Sequence, residues 1–213
     1  AANQEYCVPG DSTSCAAPVG EWKLDEKTGT TANDTSGNAN TGTITAGTGG
    51  YQSGKVGAAY NFDNADTVIN AGSGTTLDNL PSAGITLEAW VYPKSAGENS
   101  LGFIMAKNVG TSPSAGWIFR LNSTTSLTFE VDGSTDLVRT TDTSLITQNA
   151  WNHIVLTWDG VITTAATADI YINGREATYA TTTNGASRVD DGTSTFFIGN
   201  DSTSARTFDG KID

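Results

Sequence analysis

The sequence predicts an all-β protein, a two-sheet antiparallel jelly-roll sandwich, on three observations. Short runs of alternating apolar and polar residues recur along the chain, separated by clusters of Gly, Asn, Asp and Thr. Ser and Thr supply 52 of the 213 residues, with 24 Gly and 16 Asn, while Leu, Met, Lys and Glu are scarce, the reverse of a helix-rich composition. No segment longer than about ten residues carries a helical period. Ten or more short strands in such a chain pack most readily as two stacked sheets.

Residues 1–18 lack periodicity and contain Pro9, Gly10 and Pro18, so they read as a linker or N-terminal strap, with the jelly roll running from 19 to 213. Cys7 and Cys15, the only cysteines, would close a short disulfide loop in an oxidising compartment, the alternative being two free thiols. From Val19 the strands follow one another: 19–24, 58–63 with 67–70 as a possible partner, 85–92, 103–107, 116–121 and 126–132. Residues 151–158 and 168–173 form an expected hairpin pair, and 195–199 is the last clear alternation. In the strongest run, Ile85, Leu87, Ala89 and Val91 share one face and Thr86, Glu88, Trp90 and Tyr92 the other, so this strand is expected at the centre of a sheet. Asp132-Gly133, Asp159-Gly160 and Asn173-Gly174 are turn dipeptides, where positive φ costs little.

Charge and apolar run length each bear on one class of partner. With 11 Lys and Arg against 23 Asp and Glu, the net charge is −12, leaving no basic footprint for nucleic acid. No apolar run approaches the roughly 18 residues of a membrane helix, so membrane insertion is not expected. No charged segment with an apolar stretch opens the chain, which fits a removed signal peptide, and the composition reads as extracellular or cell-surface.

His153 is the only histidine and lies in an alternating strand, where a solvent-facing position is expected rather than a place in a serine triad. Trp22, Trp90, Trp151 and Trp158 lie in strands and are expected in the core. Trp117 follows a Gly/Ser/Pro-rich loop near a rim, although it shares a face with Phe119 and Leu121. Tyr92, Lys107, Arg120, Tyr171 and Asn173 fall on alternate faces where they could line a concave sheet, so Trp117, Tyr92, Lys107, Arg120 and Asn173 are the candidate ligand-binding residues. The run from Asp34 to Asn40 offers carboxylate, amide and carbonyl oxygens in one tight loop, which suits calcium, while Asx turns are the alternative use of Asp34 and Asn38.

Several segments together carry a family resemblance. They are Val19-Gly20-Glu21-Trp22-Lys23-Leu24, the Gly/Asn/Thr-rich stretch from Thr28 to Gly42, and the run from Gly54 to Asp63. Thr86-Leu87-Glu88-Ala89-Trp90-Val91, Trp151-Asn152-His153-Ile154-Val155, Asp169-Ile170-Tyr171-Ile172-Asn173-Gly174, Ile198-Gly199-Asn200 and Phe208-Asp209-Gly210-Lys211-Ile212-Asp213 follow in order. In this order they resemble the laminin-G-like jelly roll of the concanavalin-A-like lectin/glucanase superfamily. The resemblance implies a structural calcium between the early loops and an aspartate of the last strand, with Asp34, Asn38 and Asp213 as the metal ligands. It also implies that Gly210–Asp213 leads into a final strand; as the sequence stops at Asp213, either it is a truncation or a sheet edge is left open. Glucanases of the superfamily set two glutamates around an aspartate on one strand; here Glu130-Val131-Asp132-Gly133-Ser134 carries Ser134 in place of the second, so no enzyme is expected.

The expected function is a non-catalytic extracellular module that binds a glycan or glycoprotein and is stabilised by Ca2+. The rival expectation is a structural subunit of a surface fibre or adhesin. It would join a second copy or a neighbouring domain by strand complementation at the open edge.

Overall fold

The computed structural model describes residues 17–45, 47–108 and 115–213. Most of the expected strap, with Cys7 and Cys15, lies outside the described residues. The chain opens with β1 (Thr31–Ala32), β2 (Gly42–Thr45), β3 (Gly50–Ser53), β4 (Ala58–Asp63) and β5 (Val68–Gly72). The long β6 (Ile85–Pro93) leads to β7 (Phe103–Asn108), β8 (Trp117–Leu121), β9 (Leu127–Val131), β10 (Gly133–Thr135) and β11 (Leu137–Thr141). Next come β12 (Asn152–Trp158), β13 (Asp169–Ile172), β14 (Arg175–Glu176) and β15 (Tyr179–Thr183). The last are β16 (Ala186–Arg188), β17 (Thr195–Ile198) and β18 (Asp209–Ile212).

One sheet has nine strands in the order β1-β2-β5-β17-β7-β8-β9-β11-β15; the other has seven, β14-β13-β12-β6-β18-β4-β3, and β10 pairs with β16 apart from both. Every pairing is antiparallel. The two-residue period decides which side chains meet between the layers. Leu87, Ala89 and Val91 of β6 and Ile154 and Leu156 of β12 share one core with Trp117, Phe119 and Leu121 of β8 and Leu127, Phe129 and Val131 of β9. Phe129 meets Trp158 edge to face across the layers, ring centres 5.6 Å apart. Each such fully buried side chain contributes on the order of 1.5–3 kcal/mol by leaving water. Gly199, at φ +79°, passes so close to Phe62 that a Cβ there would overlap the ring.

Two expectations are corrected. Residues 19–24 form no regular strand; the contact there is an isolated bridge between Trp22 and Asp34, because Leu24 and Lys27 turn into the left-handed region at φ +53° and +65°. The 67–70 run does not pair with 58–63. Asn64, at φ +59°, redirects the chain, and β5 joins β2 and β17 in the opposite sheet. Asp209–Ile212 forms β18, which lies between β4 and β6. Asp213 extends that pairing by exchanging both backbone bonds with Trp90, at 2.8 and 2.9 Å.

Candidate binding face

On the outer face of the seven-stranded sheet the period that buries Leu87, Ala89 and Val91 turns Glu88, Trp90 and Tyr92 toward solvent. Register then sets rows across the sheet. His153 lies opposite Trp90, Lys211 opposite Tyr92, and Asn61 opposite Lys211. Tyr171 of β13 lies opposite Val155 in the neighbouring row. Trp90, Tyr92, Trp151, His153 and Tyr171 are all half-buried, so their rings are supported from beneath and reachable from above.

The contacts hold the rings in place. Trp90 and His153 lie with centres 4.8 Å apart, and Tyr92 meets Trp151 edge to face at 5.6 Å. Lys55 Nζ stands 4.7 Å above the Trp90 ring, and Lys211 Nζ is 4.8 Å from Tyr92 and 5.1 Å from Trp151. Lys211 also donates to Ser53 O at 3.2 Å, and Lys94 Nζ to Asn61 Oδ1 at 2.8 Å. His153 Nε2 and Glu88 Oε1 are 2.8 Å apart, with the Glu88 side chain 64 % exposed. Aromatic planes beside amide, ammonium and carboxylate groups can stack on an apolar ligand face and hydrogen-bond its polar rim. Toward the start of β6 the face ends in a depression of about 530 Å³ lined by Thr86, Thr157, Asp159 and Thr167.

The structure divides the expected ligand residues. Tyr92 belongs to this face, and Asn173 stands at its rim, exposed in the β13–β14 turn with its Oδ1 accepting the His153 N–H at 2.9 Å. Trp117 is fully buried in the core, because its strand turns it inward with Phe119 and Leu121. Lys107 is also fully buried, donating to Asp78 Oδ1 at 3.2 Å and Ser194 O at 2.8 Å, so it serves the fold. Arg120 lies on the far side of the sandwich, 3.8 Å from Glu130 and bonded to Asn122 Oδ1 at 3.0 Å. Trp90 and Trp151, expected in the core, stand on the outer face; the alternation that pairs Trp90 with Thr86, Glu88 and Tyr92 already carried the signal.

The residues expected to hold calcium are engaged in two separate places. Asp34 Oδ1 accepts the N–H of Glu21 at 3.0 Å and of Ser36 at 2.9 Å, and Oδ2 that of Asn40 at 2.8 Å. Burial would raise this carboxyl, but those N–H groups and the Ser36 hydroxyl outweigh it and hold it below the ordinary carboxylate value. Asn38 donates its amide to Val19 O at 3.0 Å. Asp213 Oδ2 accepts the N–H groups of Lys55 and Val56 at 2.6 and 2.8 Å, in a separate turn. Asp34 and Asn38 brace the loop around Val19 while Asp213 holds the β3–β4 turn, and no hydrogen bond joins the two sets. Among the described residues no group of three or more His, Cys, Asp or Glu side chains is arranged for a metal.

Glu130, the residue nearest a glucanase pattern, is mostly buried and ion-paired with Arg120; burial pushes its carboxyl up, partly offset by the guanidinium. Among the described residues no helix is long and apolar enough to cross a membrane.

Several solved structures share the architecture. Domain 4 of AbnA, a GH43 extracellular arabinanase from Geobacillus stearothermophilus solved in complex with arabinotriose, aligns with a TM-score of 0.53 at 21 % identity, over 84 % of this chain and 82 % of that one. The binding domain of Paraclostridial Mosquitocidal Protein 1 aligns at 0.57 and 16 % identity, over 89 % of this chain and 49 % of that one. The botulinum neurotoxin serotype D binding domain aligns at 0.51 and 14 % identity, over 87 % and 46 %. At such identities the likeness is one of fold. No curated protein matches the sequence. Residues 63–213, from the end of β4 through β18, match a laminin G family model, and the chain therefore belongs to the concanavalin A-like lectin/glucanases superfamily.

Proposed function

We propose that the chain is a non-catalytic, extracellular carbohydrate-binding module that takes its glycan on the Trp90–Tyr92–Trp151 face. The observation that carries this reading is the set of half-buried rings on an outer sheet face, braced by Lys55, Lys211 and His153. A solvated sheet face ordinarily carries polar side chains, and a supported aromatic patch marks a binding surface. A sugar ring offers what this face matches: an apolar side for stacking and hydroxyls for Glu88, Lys211 and the Asn173 amide. Support for the ligand class comes from the arabinotriose held by a domain of similar fold. The partner is then a free oligosaccharide or the glycan of a glycoprotein. This reading rests on the aromatic face and requires no calcium.

Calorimetric titration with arabinotriose and a panel of neutral oligosaccharides tests it. The expected result is saturable binding that weakens at least tenfold, about 1.4 kcal/mol, in Trp90→Ala and in Trp151→Ala. No binding across the panel at millimolar ligand, or binding indifferent to both substitutions, overturns it.

A further inference from the structure

The cations of this acidic chain are unevenly placed. The sequence carries 23 Asp and Glu against 11 Lys and Arg, so carboxylates outnumber their possible partners by about two to one. Three of the six lysines, Lys55, Lys94 and Lys211, stand beside the outer rings of the seven-stranded sheet, and among the described residues none of the three is ion-paired. Lys55 Nζ lies 4.7 Å from the centre of the Trp90 ring, and Lys211 Nζ lies 4.8 Å from that of Tyr92 and 5.1 Å from that of Trp151. Lys94 Nζ reaches Asn61, the residue in register with Lys211.

The carboxylates nearest these lysines are engaged elsewhere. Glu88 is turned to His153 Nε2 at 2.8 Å. Asp213 Oδ2 accepts the N–H groups of Lys55 and Val56. Asp209 meets Lys94 only through the backbone, its carbonyl accepting the Lys94 N–H at 2.8 Å. The ammonium groups bond instead to neutral acceptors, Ser53 O for Lys211 and Asn61 Oδ1 for Lys94. An ammonium has three N–H donors, so each keeps donors open to a ligand. The net charge of −12 does not cancel this local excess. Exposed charges are screened beyond about 8 Å at physiological salt, whereas a ligand on the rings meets these ammonium groups at contact.

From these features we infer that the Trp90–Tyr92–Trp151 face selects an acidic glycan, whose uronate carboxylates are received by Lys55 and Lys211. The inference rests on the glycan reading above and adds the charge of the ligand to it. A uronate carries its carboxylate on a ring carbon, at the edge of the sugar, so a sugar stacked on these rings brings that charge beside an ammonium that itself stands close to them. Trp90 and Tyr92 are two residues apart on β6, about 7 Å, so Lys55 and Lys211 serve neighbouring positions on one bound oligosaccharide. Lys94 adds positive charge on the Asn61 side of the same face.

The probe is trigalacturonate, titrated calorimetrically into the 213-residue chain at neutral pH beside its fully methyl-esterified form, which keeps the sugar skeleton and removes the charge. The acid is expected to bind about tenfold more tightly than the ester at about 50 mM salt, with the ratio shrinking toward one at about 0.5 M. In the double variant Lys55→Gln, Lys211→Gln the ratio is expected to fall to about two or less, while Trp90→Ala weakens acid and ester alike. Equal affinity for acid and ester, a ratio that the double substitution leaves intact, or acid binding that survives Trp90→Ala overturns the proposal. Tighter binding of a 6-sulfated galactose trisaccharide than of trigalacturonate also overturns it. Neutral oligosaccharides bound as tightly as the acid overturn this inference and leave the glycan reading standing. Silence from both trimers and from the neutral panel overturns both.

Discussion

Trp90 and His153, opposite each other on β6 and β12, lie tilted against each other on the solvent side of the sheet with ring centres 4.8 Å apart. The imidazole is held in turn by Glu88 at 2.8 Å, so the indole has a fixed neighbour without being covered. A ring arranged in this way adds little to stability and much to an exposed surface. Trp90→Ala is therefore expected to lower the free energy of unfolding by only about 1 kcal/mol, the scale of exposed cation–π and aromatic contacts, while removing glycan binding. Urea denaturation and titration on the same variant separate the two effects.

Asp34 organises the loop that replaces the expected first strand, through three backbone N–H acceptances. Asp34→Ala strips those donors of their partner and is expected to cost about 2 kcal/mol. Because its folded carboxyl sits below the ordinary value of 3.8, its stabilisation is present above that pH and is lost as pH falls through and below it. Chemical denaturation between neutral and acid pH is expected to show a shallower acid limb for Asp34→Asn than for the parent. Since these oxygens are occupied by the backbone, neither calcium nor EDTA is expected to move the melting temperature.

Lys107 is expected to be a stability residue. Its ammonium is wholly buried against Asp78 and the Ser194 carbonyl. Lys107→Ala leaves that carbonyl unpaired and opens a void, for an expected loss of about 3 kcal/mol, or roughly 10 °C in a thermal melt. In a Lys107→Ala sample still folded at 25 °C, glycan affinity is expected to be unchanged.

Gly199 gives the sharpest backbone prediction. At φ +79° and packed on the Phe62 ring, it has no room for a methyl group, and β4 cannot retreat because β3 and β18 flank it. Gly199→Ala is expected to cost about 3 kcal/mol or more and to show as a lowered urea midpoint or loss of soluble protein.

β6 to β9 and β12 were legible because their alternation is strong, and β12 and β13 pair as local hairpin logic requires, whereas β10 and β11 were not expected. The run at 19–24 alternates equally well but breaks at Leu24 and Lys27, whose left-handed conformations no propensity announces. Of the residues named from sequence, Tyr92 and Asn173 fall on the proposed face. Trp117 and Lys107 are buried and Arg120 lies on the other sheet, because a rim loop, a buried ion pair and a far sheet face look alike in one dimension.

The sequence by itself determined that this chain is all-β, that β6 is central, and which of its residues alternate inward; a two-residue period and a turn-rich composition suffice for that. Only the tertiary structure decided which strands became neighbours: β5 left β4 for the other sheet, and β18 slid between β4 and β6. Those choices brought Tyr92, Trp151 and Lys211 onto one surface. They depend on long-range burial of two apolar faces against each other, a contact between distant segments that no local pattern encodes.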